Sequence, residues 1–154
     1  MTFTIDSNAA DPMRTIVLML APALLLSAQL ASAQQLPDKR TTETGRTVTV
    51  YAISWPTPTS DVVADVEVCT GQNTPPYTFA FPSFFQLHFS NGSAIGGFGG
   101  ARKPNFEKTP LKSGQCARGW IEFAVTSGQT PVAIHYHERA KGGKAIDWAV
   151  KREK

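Results

Sequence analysis

Three histidines have the residue type and spacing that could build a metal site in this chain. His135 and His137 are two positions apart, and such side chains share one face of a β-strand. His88 falls at a polar position of another predicted strand and could supply a third imidazole. Imidazoles that converge can bind Zn²⁺ or Cu²⁺. The three histidines are therefore the candidate metal ligands, and the alternative we favour is a polar, solvent-facing surface without an ion.

Two cysteines, Cys69 and Cys116, are the other residues with specific chemistry. In an exported protein an even number of cysteines indicates a disulfide. Free thiols or a metal pair are the alternatives, but the chain has no C-x-x-C motif to build a zinc framework. We expect one bridge, which closes a loop of about 48 residues and constrains the unfolded chain by roughly 4 kcal/mol.

An export signal is predicted at the N-terminus. Arg14 precedes an apolar run, and Ala31-Ser32-Ala33 is a small-x-small cleavage site. A transmembrane anchor is the alternative, but Pro22 and polar residues interrupt the run. We therefore expect cleavage after Ala33 and no stable membrane anchor afterwards. The predicted divisions are a signal peptide at 1–33 with an over-extended start at 1–12, a flexible lead at 34–46, a β-sandwich domain at 47–150 and a basic tail at 151–154.

Charge and motifs exclude several function classes. The chain carries a formal charge of +3, which becomes +4 once Arg14, Asp6 and Asp11 are removed. This charge is too small and too scattered to indicate nucleic-acid binding. The chain has neither a G-x-S-x-G nucleophile motif nor a phosphate-binding loop, so we predict no enzyme activity. The glycine cluster at 96–100 is predicted to be a flexible loop.

The elements that must position these residues are short β-strands. Apolar and polar residues alternate with a period of two between turn signals, and Asn91-Gly92 is typical of a hairpin. The phase of the first segment stays open, because either its valines or Tyr51, Ile53 and Trp55 can face inward. The expected strands cover 47–55, 61–69, 77–81, 83–89, 94–98, 118–126, 132–138 and 145–150.

One block carries a family resemblance. Leu111-x-x-Gly114-x-Cys116-x-Arg118-Gly119-Trp120-Ile121-x-Phe123-x-Val125 follows a strand that ends in Val-Cys and a Phe-x-Leu-x-Phe strand with its hairpin. This pattern resembles the telokin-like, immunoglobulin-like domains of secreted Gram-positive and actinobacterial proteins, a group that includes mycobacterial secreted immunogens. The resemblance implies an exported, immunoglobulin-like, two-sheet antiparallel β-sandwich of about seven strands with paired cysteines. It implies no catalytic residues. In the block itself, Gly119 is expected to allow backbone or an aromatic ring to approach closely.

These observations favour a secreted or envelope-associated, non-enzymatic protein that binds a protein, cell-wall or host component. The candidate binding face consists of exposed aromatic residues, with Trp55, Trp120 and Trp148 as its members. The alternative function is a small extracytoplasmic metal-binding protein that uses the histidine face.

Overall fold

The computed structural model describes residues 34–58, 60–72, 78–138 and 144–152. The predicted signal peptide at 1–33 therefore lies outside the described residues. Within the described ranges the chain forms ten strands and a single 3₁₀ turn at Pro82–Phe84. The strands are β1 Asp38–Thr41, β2 Thr47–Ser54, β3 Val62–Cys69, β4 Thr78–Ala80, β5 Phe85–Phe89, β6 Ala94–Gly96, β7 Thr109–Leu111, β8 Cys116–Phe123, β9 Pro131–Tyr136 and β10 Ile146–Ala149.

Two four-stranded antiparallel sheets make up the sandwich. The first sheet has the order β1-β2-β3-β8, the second has the order β10-β9-β5-β6, and β4 pairs with β7 separately. The orders β2-β3-β8 and β10-β9-β5-β6 correspond to strands A-B-E and G-F-C-C′ of an immunoglobulin-like domain. The predicted fold class is confirmed, and the strand count exceeds the predicted seven.

A single apolar core lies between the sheets, as the period-two patterns predict. Val66 and Ile121 of the first sheet and Leu87 and Ile134 of the second are fully buried members of one cluster. A strand with one face on the core alternates buried and outer residues, and β5 does so along its whole length. In β5, the short-range alternation in the sequence therefore assigns each side chain to the core or to the outside.

The phase of β2 changes along the strand. Its register against β3 shifts between Val50 and Ala52, which is a β-bulge at Tyr51. Val48 and Val50 face the core before the bulge, and Ile53 pairs with the buried Ala64 after it. Both inward-facing patterns that the sequence allows therefore occur in β2: the valines face the core before the bulge, and the alternative pattern faces it after the bulge.

The segment at 34–46, predicted to be a flexible lead, contains strand β1. Asp38–Thr41 pairs antiparallel with β2 from Val50 to Thr47. The four residues of β1 are polar and largely exposed, so no apolar periodicity marks them as a strand. An edge strand can form through its backbone ladder alone, and charged residues suit such an edge. This corrects the prediction of a flexible lead.

Candidate functional site

The predicted disulfide joins Cys69 to Cys116. Cys69 ends β3, Cys116 begins β8, and the two residues are direct partners in the antiparallel ladder. Immunoglobulin domains place their bridge between the two sheets, on strands B and F. Here the bridge lies within the first sheet and joins the strands equivalent to B and E. The covalent constraint therefore acts on β3 and β8, which carry much of the outer surface described next.

The chain from Phe98 to Phe106 lies along the free edge of β8. Phe98 and Glu122 exchange two backbone hydrogen bonds of 3.0 and 2.9 Å. At the other end, the Phe106 N–H donates to the Trp120 carbonyl over 2.8 Å, and the Phe106 side chain is buried. Within the glycine cluster at 96–100, the Gly97 N–H donates to the Phe85 carbonyl over 2.8 Å and Phe98 pairs with Glu122, so the cluster is bonded to both sheets and is not the free loop that its composition indicates. The segment from Phe98 to Phe106 covers an edge of β8 that would otherwise expose unpaired backbone groups.

Two glycines allow this close approach. A Cβ on Gly119 would lie 2.7 Å from the carbonyl carbon of Asn105 and 2.7 Å from the amide nitrogen of Phe106. A Cβ on Gly100 would lie 1.7 Å from the carboxyl carbon of Glu122. The sequence-based role of Gly119 is confirmed, because backbone does pack against it. Gly119 therefore lets the backbone at Asn105 and Phe106 pack against β8, whereas the flexible Glu122 side chain could move away from a Cβ on Gly100. Phe98 lies in the same covering segment and is 43% exposed.

Outside the first sheet, Arg118 stacks on Tyr51. The guanidinium carbon is 3.7 Å from the centre of the Tyr51 ring, and Arg118 Nη2 is 2.7 Å from Oδ2 of Asp65. Hydrogen bonding to Asp65 raises the pKa of Arg118 above its ordinary value. Burial, followed by the nearby Glu67 carboxylate, raises the pKa of Tyr51. This pair therefore holds a constant charge state across the physiological pH range.

A second arginine–aromatic pair continues the same surface. The guanidinium carbon of Arg102 lies 4.8 Å from the centre of the Trp120 ring. Trp120 is opposite Asp65 in the ladder, and Phe98 is opposite Glu122, so both side chains share the outer face with Arg118. We call this surface the arginine–aromatic face and define it by Tyr51, Phe98, Arg102, Arg118 and Trp120.

The predicted binding face of Trp55, Trp120 and Trp148 is not formed. Trp148 is fully buried because its register partner is the inward-facing Ile134, and Trp55 is 7% exposed because it follows the bulge in β2. Neither indole N–H has a hydrogen-bond partner among the described residues. Both residues are core side chains, which corrects the prediction for them. Trp120 remains on the outer surface, half-buried beneath Arg102.

The three histidines do not form the group that the sequence predicts. His88 and His135 stack outside the second sheet, with ring centres 3.6 Å apart and planes within 13°. Nδ1 of His135 is 3.3 Å from Oδ1 of Asp147 on the neighbouring strand β10. Burial, followed by the charge of His135, lowers the pKa of His88. We call His88, His135 and Asp147 the histidine face.

His137 does not join this group. It follows the last residue of β9, and its backbone N–H donates to the Phe84 carbonyl over 2.8 Å. In the described parts of the chain, one set of three potential ligand atoms lies within 4.8 Å, formed by Glu67, Cys69 and Cys116. Its two sulfurs form the disulfide and are not thiolates. The three predicted ligands therefore do not converge, and Asp147 takes the place beside His135 that His137 was expected to occupy.

A largely buried ion pair that sequence reasoning missed joins the β1–β2 turn to the end of β9. Nε of Arg46 is 3.3 Å from Oε1 of Glu138, and both side chains are 12% exposed. Arg46 also donates to the Tyr136 hydroxyl over 3.3 Å. Burial is the main cause that raises the pKa of Tyr136 to about 12. Ninety residues separate Arg46 from Tyr136, and no local pattern signals such a contact.

The comparisons with known proteins return no relative. No family model matches the sequence, and neither a curated protein nor a solved structure gives a significant match. In the described ranges, no helix has the length and hydropathy needed to cross a bilayer. The function must therefore be argued from the two outer faces themselves.

Proposed function

We propose that this chain is an exported, non-enzymatic binding module of the telokin-like, immunoglobulin-like kind, and that it binds a protein partner through the arginine–aromatic face. The observation that carries the proposal is the position of two arginine–aromatic stacks and the exposed Phe98 on one outer sheet surface. The partner is a protein of the cell envelope or of the medium outside the cell.

The composition of this face supports a protein partner. Tyrosine, tryptophan and arginine dominate the energetics of protein interfaces, because they bury large areas and combine apolar contact with hydrogen bonding. Phe98 adds an exposed ring at the edge of the same face. Asp65 accepts from only some of the hydrogen-bond donors of Arg118, so a partner must supply acceptors for the remaining ones, and this requirement favours specific binding.

The rigidity of the face also supports binding. Hydrogen bonds to Glu122 hold the backbone that carries Phe98, and Asp65 holds the guanidinium of Arg118. Side chains that are ordered before association lose less conformational entropy when a partner binds. The face is thus organised in advance of the interaction.

Export is supported by the leader pattern at 13–33 and by the disulfide. A structural disulfide persists in oxidising compartments and is rare in reducing ones. The recovery of a mature chain that begins at Gln34 would establish cleavage, whereas retention of residues 13–33 in the exported protein would contradict it.

Site-specific photo-crosslinking tests the proposed face. A photo-reactive phenylalanine analogue replaces Phe98 in one protein and Val132 in a matched control, because these two side chains are 43% and 42% exposed. Val132 lies on β9 of the second sheet, away from the arginine–aromatic face. After irradiation of exporting cells, we expect a discrete heteromeric adduct from position 98 and none from position 132.

Variants then separate binding from folding. Arg102→Ala should reduce the adduct from position 98, whereas Lys151→Ala, which alters an exposed cation beyond β10, should leave it unchanged. Both variants should keep the thermal midpoint of the parent protein. Equal adducts from positions 98 and 132, or no loss with Arg102→Ala, would contradict the proposal.

A further inference from the structure

The histidine face carries a second, independent inference. We propose that His88 and His135 bind one borderline transition-metal ion, Zn²⁺, Ni²⁺ or Cu²⁺, through their Nε2 atoms, and that Asp147 orients His135. This site differs from the one expected from the sequence, because His137 has no part in it and a carboxylate of β10 enters.

Strand register brings the three side chains together. Asp147 is directly opposite His135 in the β10–β9 ladder, and Gln86 is opposite His135 in the β9–β5 ladder. His88 is two residues beyond Gln86 and therefore lies on the same face, diagonal to His135. Three adjacent strands thus present a carboxylate and two imidazoles in a row outside the second sheet.

The two rings lie close together but must reorient to share an ion. In a tetrahedral complex with metal–nitrogen bonds of about 2.0–2.1 Å, the two bound nitrogens are about 3.3 Å apart and the two ring centres about 5 Å apart. The ring centres of His88 and His135 are 3.6 Å apart in a nearly parallel stack. Because a metal must lie close to the plane of each ring, binding requires both side chains to rotate and their rings to separate.

Asp147 supplies the support that metal-binding histidines usually have. Its Oδ1 lies 3.3 Å from Nδ1 of His135, which favours the tautomer with the proton on Nδ1 and leaves the Nε2 lone pair free. The carboxylate also offsets part of the charge that an ion brings. Asp147 is therefore a positioning residue and not one of the ligands.

The donor set defines the class of ion. Two imidazoles favour Zn²⁺, Ni²⁺ and Cu²⁺, whereas Mg²⁺ and Ca²⁺ require mainly oxygen ligands. The His135 side chain is 26% exposed, so water molecules or a donor from another molecule can complete the coordination. A site with two protein ligands and open positions binds reversibly.

Isothermal titration with zinc chloride alone tests this inference. The tag-free, oxidised protein is titrated both in the form that cells produce and after treatment with a chelator. We expect saturable binding of one ion per chain. His88→Asn and His135→Asn should each abolish it. His137→Asn is the matched control and should leave the affinity within about twofold of the parent value.

Asp147→Asn tests the positioning role. Loss of an outer carboxylate partner weakens metal sites about 10- to 100-fold, so Zn²⁺ should still bind, at an affinity reduced in that range. The thermal midpoint of each metal-free variant shows whether it is folded. Absence of saturable binding by the folded parent, or equal weakening by His137→Asn and His88→Asn, would overturn the proposal. Neither result bears on the crosslinking test of the arginine–aromatic face.

Discussion

The two outer faces of the sandwich are built alike but differ in the ionisation of their side chains. On the first sheet, Arg118 stacks on Tyr51 beside the carboxylate of Asp65. On the second sheet, His88 stacks on His135 beside the carboxylate of Asp147. Each face therefore combines two stacked planar side chains with one acidic residue from an adjacent strand.

The difference lies in the chemistry of the planar groups. The pKa of Arg118 is raised by its hydrogen bond to Asp65, so this group stays charged across the physiological pH range. The pKa of His88 is lowered by burial and by His135, so this ring is neutral at pH 7 and retains a nitrogen lone pair. One face offers permanent donors to a partner, and the other offers acceptors to a metal or a proton.

Removal of the disulfide should produce the largest effect and should act on the first sheet. Cys69→Ala with Cys116→Ala removes a bridge that closes a long loop, so we expect the free energy of unfolding to fall by about 2–5 kcal/mol. Hydrogen exchange should accelerate in β3 and β8 more than in β5 and β9. Equal acceleration in both sheets would show that the two faces are not separately constrained.

Gly119→Ala should have the next largest effect. The new Cβ would meet the backbone of Asn105 and Phe106 at 2.7 Å, so the covering segment must move from the β8 edge. We expect a loss of about 1–3 kcal/mol in denaturant unfolding, as for other overpacked sites.

Gly96→Ala is the control for this prediction. Its Cβ would meet no heavy atom nearer than 3.9 Å, so stability should change little. Gly119→Ala should also reduce crosslinking from position 98 and leave Zn²⁺ binding intact. A stable Gly119→Ala protein would contradict the argument that close packing positions Phe98.

A smaller, pH-dependent effect should distinguish the histidine face. Because folding lowers the pKa of His88, the folded state resists protonation of this ring. Its contribution to stability is complete above the ordinary imidazole pKa of about 6.5 and is lost as the pH falls through that value towards the lower folded-state pKa. We therefore expect metal-free protein to become less stable between pH 7 and pH 5.

Urea unfolding of chelator-treated protein at several pH values provides the measurement. His88→Asn should flatten the dependence, and His137→Asn should not, because it is the pKa of His88 that is lowered, by burial and by the neighbouring His135. The same slope in His88→Asn and in the parent protein would show that other groups cause the acid sensitivity.

Arg118→Ala should have the smallest effect on stability. Exposed ion pairs contribute little because water and salt screen them. We expect a minor change in the urea midpoint, with the same pH dependence as the parent between pH 5 and pH 8. If Arg118→Ala changes that pH dependence, the arginine–aromatic face does not keep a constant charge and no longer differs in this respect from the histidine face.

Local patterns alone identified much of the fold. The alternation of Phe85, Leu87 and Phe89 identified β5, and Asn91-Gly92 identified the hairpin to β6 that is observed. The same kind of pattern missed β1, because its polar residues are held by backbone pairing and have no apolar face. Alternation reports burial, so a strand without a buried face leaves no such signal.

The sequence by itself determined the all-β sandwich and the role of Gly119, because each depends on residue type and short-range order. It also determined the pairing of Cys69 with Cys116, because the chain has two cysteines and only one pairing is possible. Only the tertiary structure decided which aromatic residues are core, since a single bulge at Tyr51 changes the phase of β2. It likewise decided that Asp147, and not His137, accompanies His135. Contacts between distant strands depend on register, and register is set by the packing of the whole sandwich.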